Sequence, residues 1–217
     1  MEQTPAGGTG PRRARVFRRL RDAAEILGVT IALSLAVKTF VLDAVHVASD
    51  SMENTLLVGD FLLVNKFVYG AATPRFLPVA GWPLPVVRLP APGAPARGDV
   101  IVFYAPEVTV PRLYVKRLAG VPGDTVMFRG GALFVNGAEV PPPASAKPSR
   151  GPAPDFGPVV VPAGRFFVLG DNRDDSLDSR AWGFVPFDRI VGRAMMIYWS
   201  VDGRTGIRWG RPGTVVR

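Results

Sequence analysis

The chain has 217 residues, a formal net charge of +8, 22 prolines, 24 glycines, one histidine and no cysteine. That length fits one sizeable folded body, the missing cysteine excludes disulfides, thiolate metal sites and cysteine nucleophiles, and a lone His46 excludes a multi-histidine metal centre. Valine-rich runs separated by proline and glycine clusters indicate short strands joined by turns, so the expected fold class is mainly β.

Residues 1–11 are rich in Gly, Pro and Thr and are expected to be disordered. They belong to a basic arm, residues 1–22, in which Arg12, Arg13, Arg15, Arg18, Arg19 and Arg21 face only Glu2 and Asp22. Residues 23–37 then form an apolar stretch broken only by Glu25, Thr30 and Ser34 and ended by Lys38. Its uncharged part, residues 26–37, is shorter than the roughly 20 residues that cross a bilayer. The span is completed if Glu25 lies near the inner interface and Lys38 snorkels outward along its alkyl stem. Residues 23–42 are therefore read as a transmembrane helix, oriented by the arginines with the arm inside. A cleaved signal peptide is the competing reading, with Ala44 and Ala48 as small residues near a cut, but cleavage there leaves Ser51 almost at a new N-terminus. A soluble core helix is a third.

Residues 43–217 form the β-rich body. Residues 40–47 alternate as a strand does, and 61–68 form another after the Gly59-Asp60 turn. Residues 71–97 carry seven prolines and are expected to make an extended excursion, not a central strand. Its apolar side chains Phe76, Leu77, Trp82 and Leu84 suit lipid contact or an ordinary loop equally. Residues 99–104, 113–118, 125–128 and 133–135 read as strands, with Asn136-Gly137 as a hairpin turn. A Pro-rich connector over 141–158 precedes strands at 159–161, 166–169 and 190–199.

Three polar or Gly-rich segments interrupt the apolar strands: residues 49–56 (SDSMENTL), 114–124 (YVKRLAGVPGD) and 170–180 (GDNRDDSLDSR). A serine hydroxyl needs a base, and with one histidine in the chain the choices are His46, five residues before Ser51, or a lysine whose amine is kept neutral by burial and neighbouring cations. Lys116 sits in a strongly apolar β stretch and suits the second option. Taken by themselves, though, a lysine like Lys116 is more often an exposed strand charge and a serine like Ser51 more often a turn residue.

These segments resemble the motif blocks of the bacterial type I signal peptidases, a serine-lysine peptidase family, in order and at fitting intervals, and residues 97–104 are similar to a fourth block. The resemblance covers most of residues 40–199. It implies an antiparallel, barrel-like β-sheet catalytic domain on the outer face of the bacterial cytoplasmic membrane, removing signal peptides from exported precursors after small residues. By the resemblance, Ser51 is the nucleophile and Lys116 its general base. The Ser49 hydroxyl and Ser51 N–H form the oxyanion hole, and Ser176 orients the lysine. Asp171, Arg117, Asp178 and Arg180 are implied to be an ion-paired scaffold, of a kind that adds little stability when exposed. Val45, Val47, Met52, Tyr114 and Val115 are expected to line the pockets for small side chains. Ala48 and Asn54 stand where the family commonly has proline, and Asp175 where it has asparagine, so the turn at Ser51 is expected to be less rigid.

No metal or organic cofactor is implied, and the partners are precursor proteins and membrane lipid. A nucleic-acid partner is disfavoured because the arginines sit beside an apolar segment without interleaved aromatics. A self-cleaving regulator with the same Ser-Lys chemistry would need a DNA-binding domain that the short arm cannot form. A membrane-tethered binding module with a degenerate site is the non-enzymatic alternative.

Overall fold

The structure, a computed structural model, describes residues 11–73, 82, 84–85, 87–106, 112–147, 151 and 154–217, with side chains from residue 15 onward. The expectation of disorder over 1–10 and the side chains of Arg12, Arg13, Phe76 and Leu77 lie outside these. The chain divides into two compact units, Met1–Lys38 and Thr39–Arg217.

Among its described residues the first unit is helix α1, Pro11–Phe40, which runs two residues past the unit's end. Pro11 opens it at the position where a missing N–H costs nothing. Within it Arg15–Phe40 is long and apolar enough to cross a membrane. At about 1.5 Å per residue that stretch exceeds the roughly 30 Å hydrocarbon layer. Ile26, Leu27, Val29, Ile31, Leu33 and Leu35, spread around the helix by its roughly 100° step, are all exposed. The charges among them are locally answered, since Arg21 pairs with Glu25 one turn on at 3.4 Å.

The second unit is mainly β and antiparallel. Its strands are β1 (Leu42–His46), β2 (Asp60–Asn65), β3 (Val100–Tyr104), β4 (Leu113–Gly120), β5 (Thr125–Arg129), β6 (Ala132–Val135), β7 (Ala138–Val140), β8 (Phe156–Val160), β9 (Arg165–Leu169), β10 (Val185–Pro186), β11 (Ile190–Asp202) and β12 (Gly206–Ile207). One sheet runs β1-β2-β11-β3-β4-β9-β10, with β12 on β11, and a smaller sheet runs β7-β6-β5-β8. The large sheet curls as an open half-barrel instead of closing. Its longest strand, β11, shifts register against both neighbours, and such bulges bend a strand and increase its twist.

β3 explains how the sheet is filled. Its run Val100, Ile101, Val102, Phe103 is buried throughout, because alternate side chains enter two different apolar clusters. Val100 and Val102 pack with Leu62, Val64 and Ile197, while Ile101 and Phe103 pack with Leu118, Val168 and Ile190. A third cluster joins the sheets, setting Phe167 and Leu169 of β9 against Val126, Phe128 and Val135.

Several elements differ from the sequence expectation for local reasons. β1 starts at Leu42 because the helix continues to Phe40, and β2 ends at Asn65, giving way to a 3-10 turn at Phe67–Tyr69. The connector is shorter than 141–158, since β8 begins at Phe156. Pro158 lies inside β8, an edge strand, where a missing donor is tolerated. β7, β10 and β12 have two or three residues each and are too short for alternation to mark them. Asn136 and Gly137 both adopt positive φ, 54° and 80°, as the tight turn between β6 and β7 requires.

Candidate active site

β1 and β2 pair in register from Leu42 opposite Asn65 to His46 opposite Phe61, and the chain between them forms a pinched loop. Val47 N–H donates to the Asp60 carbonyl and Gly59 N–H to the Val47 carbonyl, closing its neck. Inside, Glu53 N–H donates to the Asp50 carbonyl and Leu56 N–H to the Met52 carbonyl, so Ser51 sits at the start of a tight turn. Ser51 is 7% exposed, and its Oγ lies 3.2 Å from Ser49 Oγ. Asn54 adopts φ 75°, a left-handed conformation that asparagine tolerates and proline, held near −65°, cannot take. The departure from proline at this position thus accompanies a turn of different geometry.

β4 carries the second segment. Val100 pairs with Arg117 and Ile101 with Lys116, and adjacent side chains on a strand point to opposite faces. Lys116 and Arg117 therefore leave β4 in opposite directions, yet both are buried, at 3% and 7% exposed. Lys116 Nζ donates to Ser176 Oγ at 3.1 Å. On the other side Arg117 grips Asp171 through Nε and a terminal nitrogen at 2.8 and 2.7 Å, and donates to the Gly98 carbonyl. β9 pairs with β4 only from Arg117 to Gly120, so Leu113–Lys116 has one strand neighbour, β3, among the described residues.

The third segment leaves β9 at Gly170 and is braced throughout. Asp178, with no exposed surface, accepts from Gly170 N–H at 3.1 Å and pairs with Arg180 at 2.9 Å. Arg180 also donates to the Arg173 carbonyl. Asn172 N–H donates to the Ser51 carbonyl at 3.0 Å, tying this segment directly to the first. Gly170 makes the approach possible, because a Cβ there would lie 2.2 Å from Ser176 Oγ and 2.5 Å from the Ser51 carbonyl oxygen. Gly170 and Asn172 were not singled out from the sequence; a glycine directly after the apolar run Phe166–Leu169 was the available signal. The Arg117–Asp171 pair is buried and Asp178–Arg180 nearly so, and breaking a buried pair from one side typically costs about 3–5 kcal/mol.

The three segments border one groove of about 500 Å³, lined by Ser49, Ser51, Met52, Lys116 and also by His46, Val47, Ala48, Asp50, Arg112, Leu113, Tyr114, Val115, Asp175 and Leu177. Of the expected pocket residues, Val47, Met52, Tyr114 and Val115 line it, whereas Val45 packs beneath in the core with Leu62 and Val64. His46 stacks on Phe61 with ring centroids 4.8 Å apart. Among the described residues no group of three or more His, Cys, Asp or Glu side chains is arranged to hold a metal ion.

At the far end of the loop Asp60 is fully buried, and burial alone pushes its carboxyl pKa up. The hydrogen bonds from Arg211, Leu57 N–H and Ser200 outweigh that effect and hold it below the usual carboxylate value. Arg211 contacts Asp60 at 2.6 Å and the Thr55 carbonyl at 3.1 Å, so the C-terminal segment anchors the loop.

A family model described as signal peptidase, peptidase S26, matches residues 20–199. The chain is 34% identical over 208 residues to a signal peptidase I of Leptolyngbya laminosa, covering 92% of this chain and 90% of that protein. It is 36% identical to signal peptidase I of Pseudomonas fluorescens, covering 76% and 68% respectively. With signal peptidase I T of Bacillus subtilis (strain 168) the identity is 32%, covering 80% and 82%. A crystal structure of a signal peptidase I from Enterococcus faecalis V583 is 35% identical, with a TM-score of 0.40, and covers 46% of this chain and 95% of that one.

Proposed function

The chain belongs to the signal peptidase family, peptidase S26, and is a serine peptidase of the signal peptidase I type; from that premise we propose that it removes signal peptides by a Ser51–Lys116 dyad. The observation that carries this reading is the meeting of Ser49 and Ser51 from one segment with Lys116 from another on one groove, with Ser176 hydrogen-bonded to the lysine amine.

Ser51 Oγ attacks the scissile carbonyl while Lys116, as the neutral amine, takes its proton. The charge on the tetrahedral oxygen is met by the Ser51 N–H and the Ser49 hydroxyl, two donors from one short segment. Lys116 then returns the proton to the leaving amine, and water enters by the reverse sequence to release the signal peptide. Burial favours the neutral form of a lysine, and the Ser176 hydroxyl, an acceptor toward Nζ, holds the amine's direction. Asp171–Arg117 and Asp178–Arg180 keep the segments rigid without touching the reacting atoms.

An extended precursor suits the stretch Leu113–Lys116, where among the described residues β4 has a strand neighbour on one side only, so that the substrate adds as a strand. Val47, Met52, Tyr114 and Val115 narrow the groove beside Ser51, which favours small residues before the cut, an Ala-x-Ala pattern, by steric exclusion. The apolar helix is consistent with a membrane-anchored enzyme. The arginines in its N-terminal part support an orientation with the arm on the inner side of the cytoplasmic membrane and the peptidase on the outer side.

The test is cleavage of a synthetic Ala-x-Ala precursor by detergent-solubilised full-length protein beside folded Ser51→Ala and Lys116→Ala variants. Cutting after the second alanine by the wild type, with both variants inert, is the expected result. An active Lys116→Ala would remove the dyad and direct attention to His46, which borders the same groove. Protection of an N-terminal tag from protease in intact spheroplasts tests the orientation.

A further inference from the structure

The dyad asks two side chains on unconnected stretches of chain to hold one separation, and a misplacement of about 1 Å can cost roughly 10²-fold in rate. Ser51 heads a turn that no strand supports directly. The turn's far end, Thr55, is four residues on and does not line the groove.

Thr55 Oγ1 lies 2.6 Å from Asp171 Oδ2, the oxygen that a terminal nitrogen of Arg117 also contacts at 2.7 Å. A carboxylate only accepts, so the single hydroxyl proton of Thr55 goes to Asp171. Ser145 Oγ, 2.8 Å from the same threonine oxygen, is therefore the donor in that second contact. The Thr55 carbonyl accepts from Arg211. Arg117 adjoins Lys116 on β4, so three residues, Thr55, Asp171 and Arg117, connect the turn after Ser51 to the strand that carries the proposed base.

The connector after β7, featureless by composition, lies along this turn. Lys147 N–H donates to the Asp171 carbonyl at 3.2 Å, and Lys147 Nζ lies 2.5 Å from Glu53 Oε2, inside the turn. Ser145 and Lys147 thus strap the turn from outside while Asp171 holds it from within.

We propose that Thr55 is a positioning residue, which locks the turn following Ser51 to the strand bearing Lys116, and that Ser145 and Lys147 hold it in place. This rests on the Ser51–Lys116 reading. Thr55→Val removes the hydroxyl at nearly constant shape and leaves the Arg117–Asp171 pair intact, so the turn loosens without the body unfolding.

The experiment measures kcat and KM on the Ala-x-Ala precursor, with melting temperatures, for full-length wild type, Thr55→Val, Thr55→Ser and Lys147→Met. Val135→Ala, in the four-stranded sheet, serves as a stability control. Thr55→Val is expected to lower kcat by about 10- to 100-fold with KM within about threefold, and Thr55→Ser to recover most of the loss. Lys147→Met should lower kcat by about threefold to tenfold, and Val135→Ala should melt earlier yet keep its kcat. A Thr55→Val kcat within about twofold of wild type, or a Thr55→Ser variant as slow as Thr55→Val, overturns the proposal. Ser51→Ala and Lys116→Ala run alongside distinguish the two failures. If both are inert while Thr55→Val is fully active, only the positioning role falls; if either is active, the dyad falls and this role with it.

Discussion

The loops around Ser51 and the four-stranded sheet β5–β8 are held together by opposite means. The sheet is local and apolar: β5, β6 and β7 follow one another through short turns, and Val126, Phe128, Leu133 and Val135 fill its inner face. The site is non-local and polar: Asp60, Asp171 and Asn172, at most 1% exposed, each bind groups distant in the chain, and the equally buried Asp178 braces its own loop. Apolar packing is tolerant and non-directional, whereas a buried carboxylate demands its donors at fixed distances and angles. Precision at Ser51 therefore comes from charged groups, and bulk stability from the sheets.

That contrast is broken most sharply by Lys116→Met. Precursor cleavage should fall by about 10⁴-fold, because the variant keeps the volume but loses the proposed base. Its melting temperature should hold or rise, since an apolar side chain replaces a buried amine. A large fall in melting temperature would mean that Lys116 is structural after all. Phe128→Ala should do the reverse, costing about 3–5 kcal/mol of unfolding free energy in a denaturant titration while kcat per folded molecule stays within about twofold. Gly170→Ala sits between the two, because the added methyl drives into Ser176 and the Ser51 carbonyl. A loss of about 1–3 kcal/mol together with at least a tenfold fall in kcat is expected, read from paired melts and assays.

Acid sharpens the comparison further. Burial raises the Asp124 carboxyl, but hydrogen bonds from Arg97, Val121 N–H and Asn136 outweigh it and leave its pKa lowered, as at Asp60. A carboxyl held below its unfolded value contributes stability that is complete above about pH 4 and lost as pH falls through the folded value. Melting temperature should therefore drop below about pH 4, and by less in Arg97→Gln, whose Asp124 has lost its guanidinium. The smallest effect is expected at Gly137, where alanine meets φ 80° and should cost about 1 kcal/mol without touching kcat.

Much of the molecule was legible because its signals are local. The apolar strand-like stretch 113–118, the Asn136-Gly137 turn and the apolar run ahead of Lys38 depend on neighbours a few positions away, and so do the three polar segments that carry the family resemblance. Strand ends were less legible. A proline at 158 and strands of two or three residues carry no periodicity, and only pairing with β5, β6, β9 or β11 makes them strands.

The sequence by itself determined the mainly β body, the long apolar helix and the membership of Ser51 and Lys116 in recognisable segments, since periodicity, turn chemistry and residue order are properties of the linear chain. Only the tertiary structure decided that Lys116 is buried and not an exposed strand charge, and that Val45 lies beneath the groove. It also decided that Asp60 answers to Arg211 and that the connector reaches Thr55 through Ser145. Such partners meet through strand register and sheet curl summed over long stretches of chain, and no local pattern encodes them.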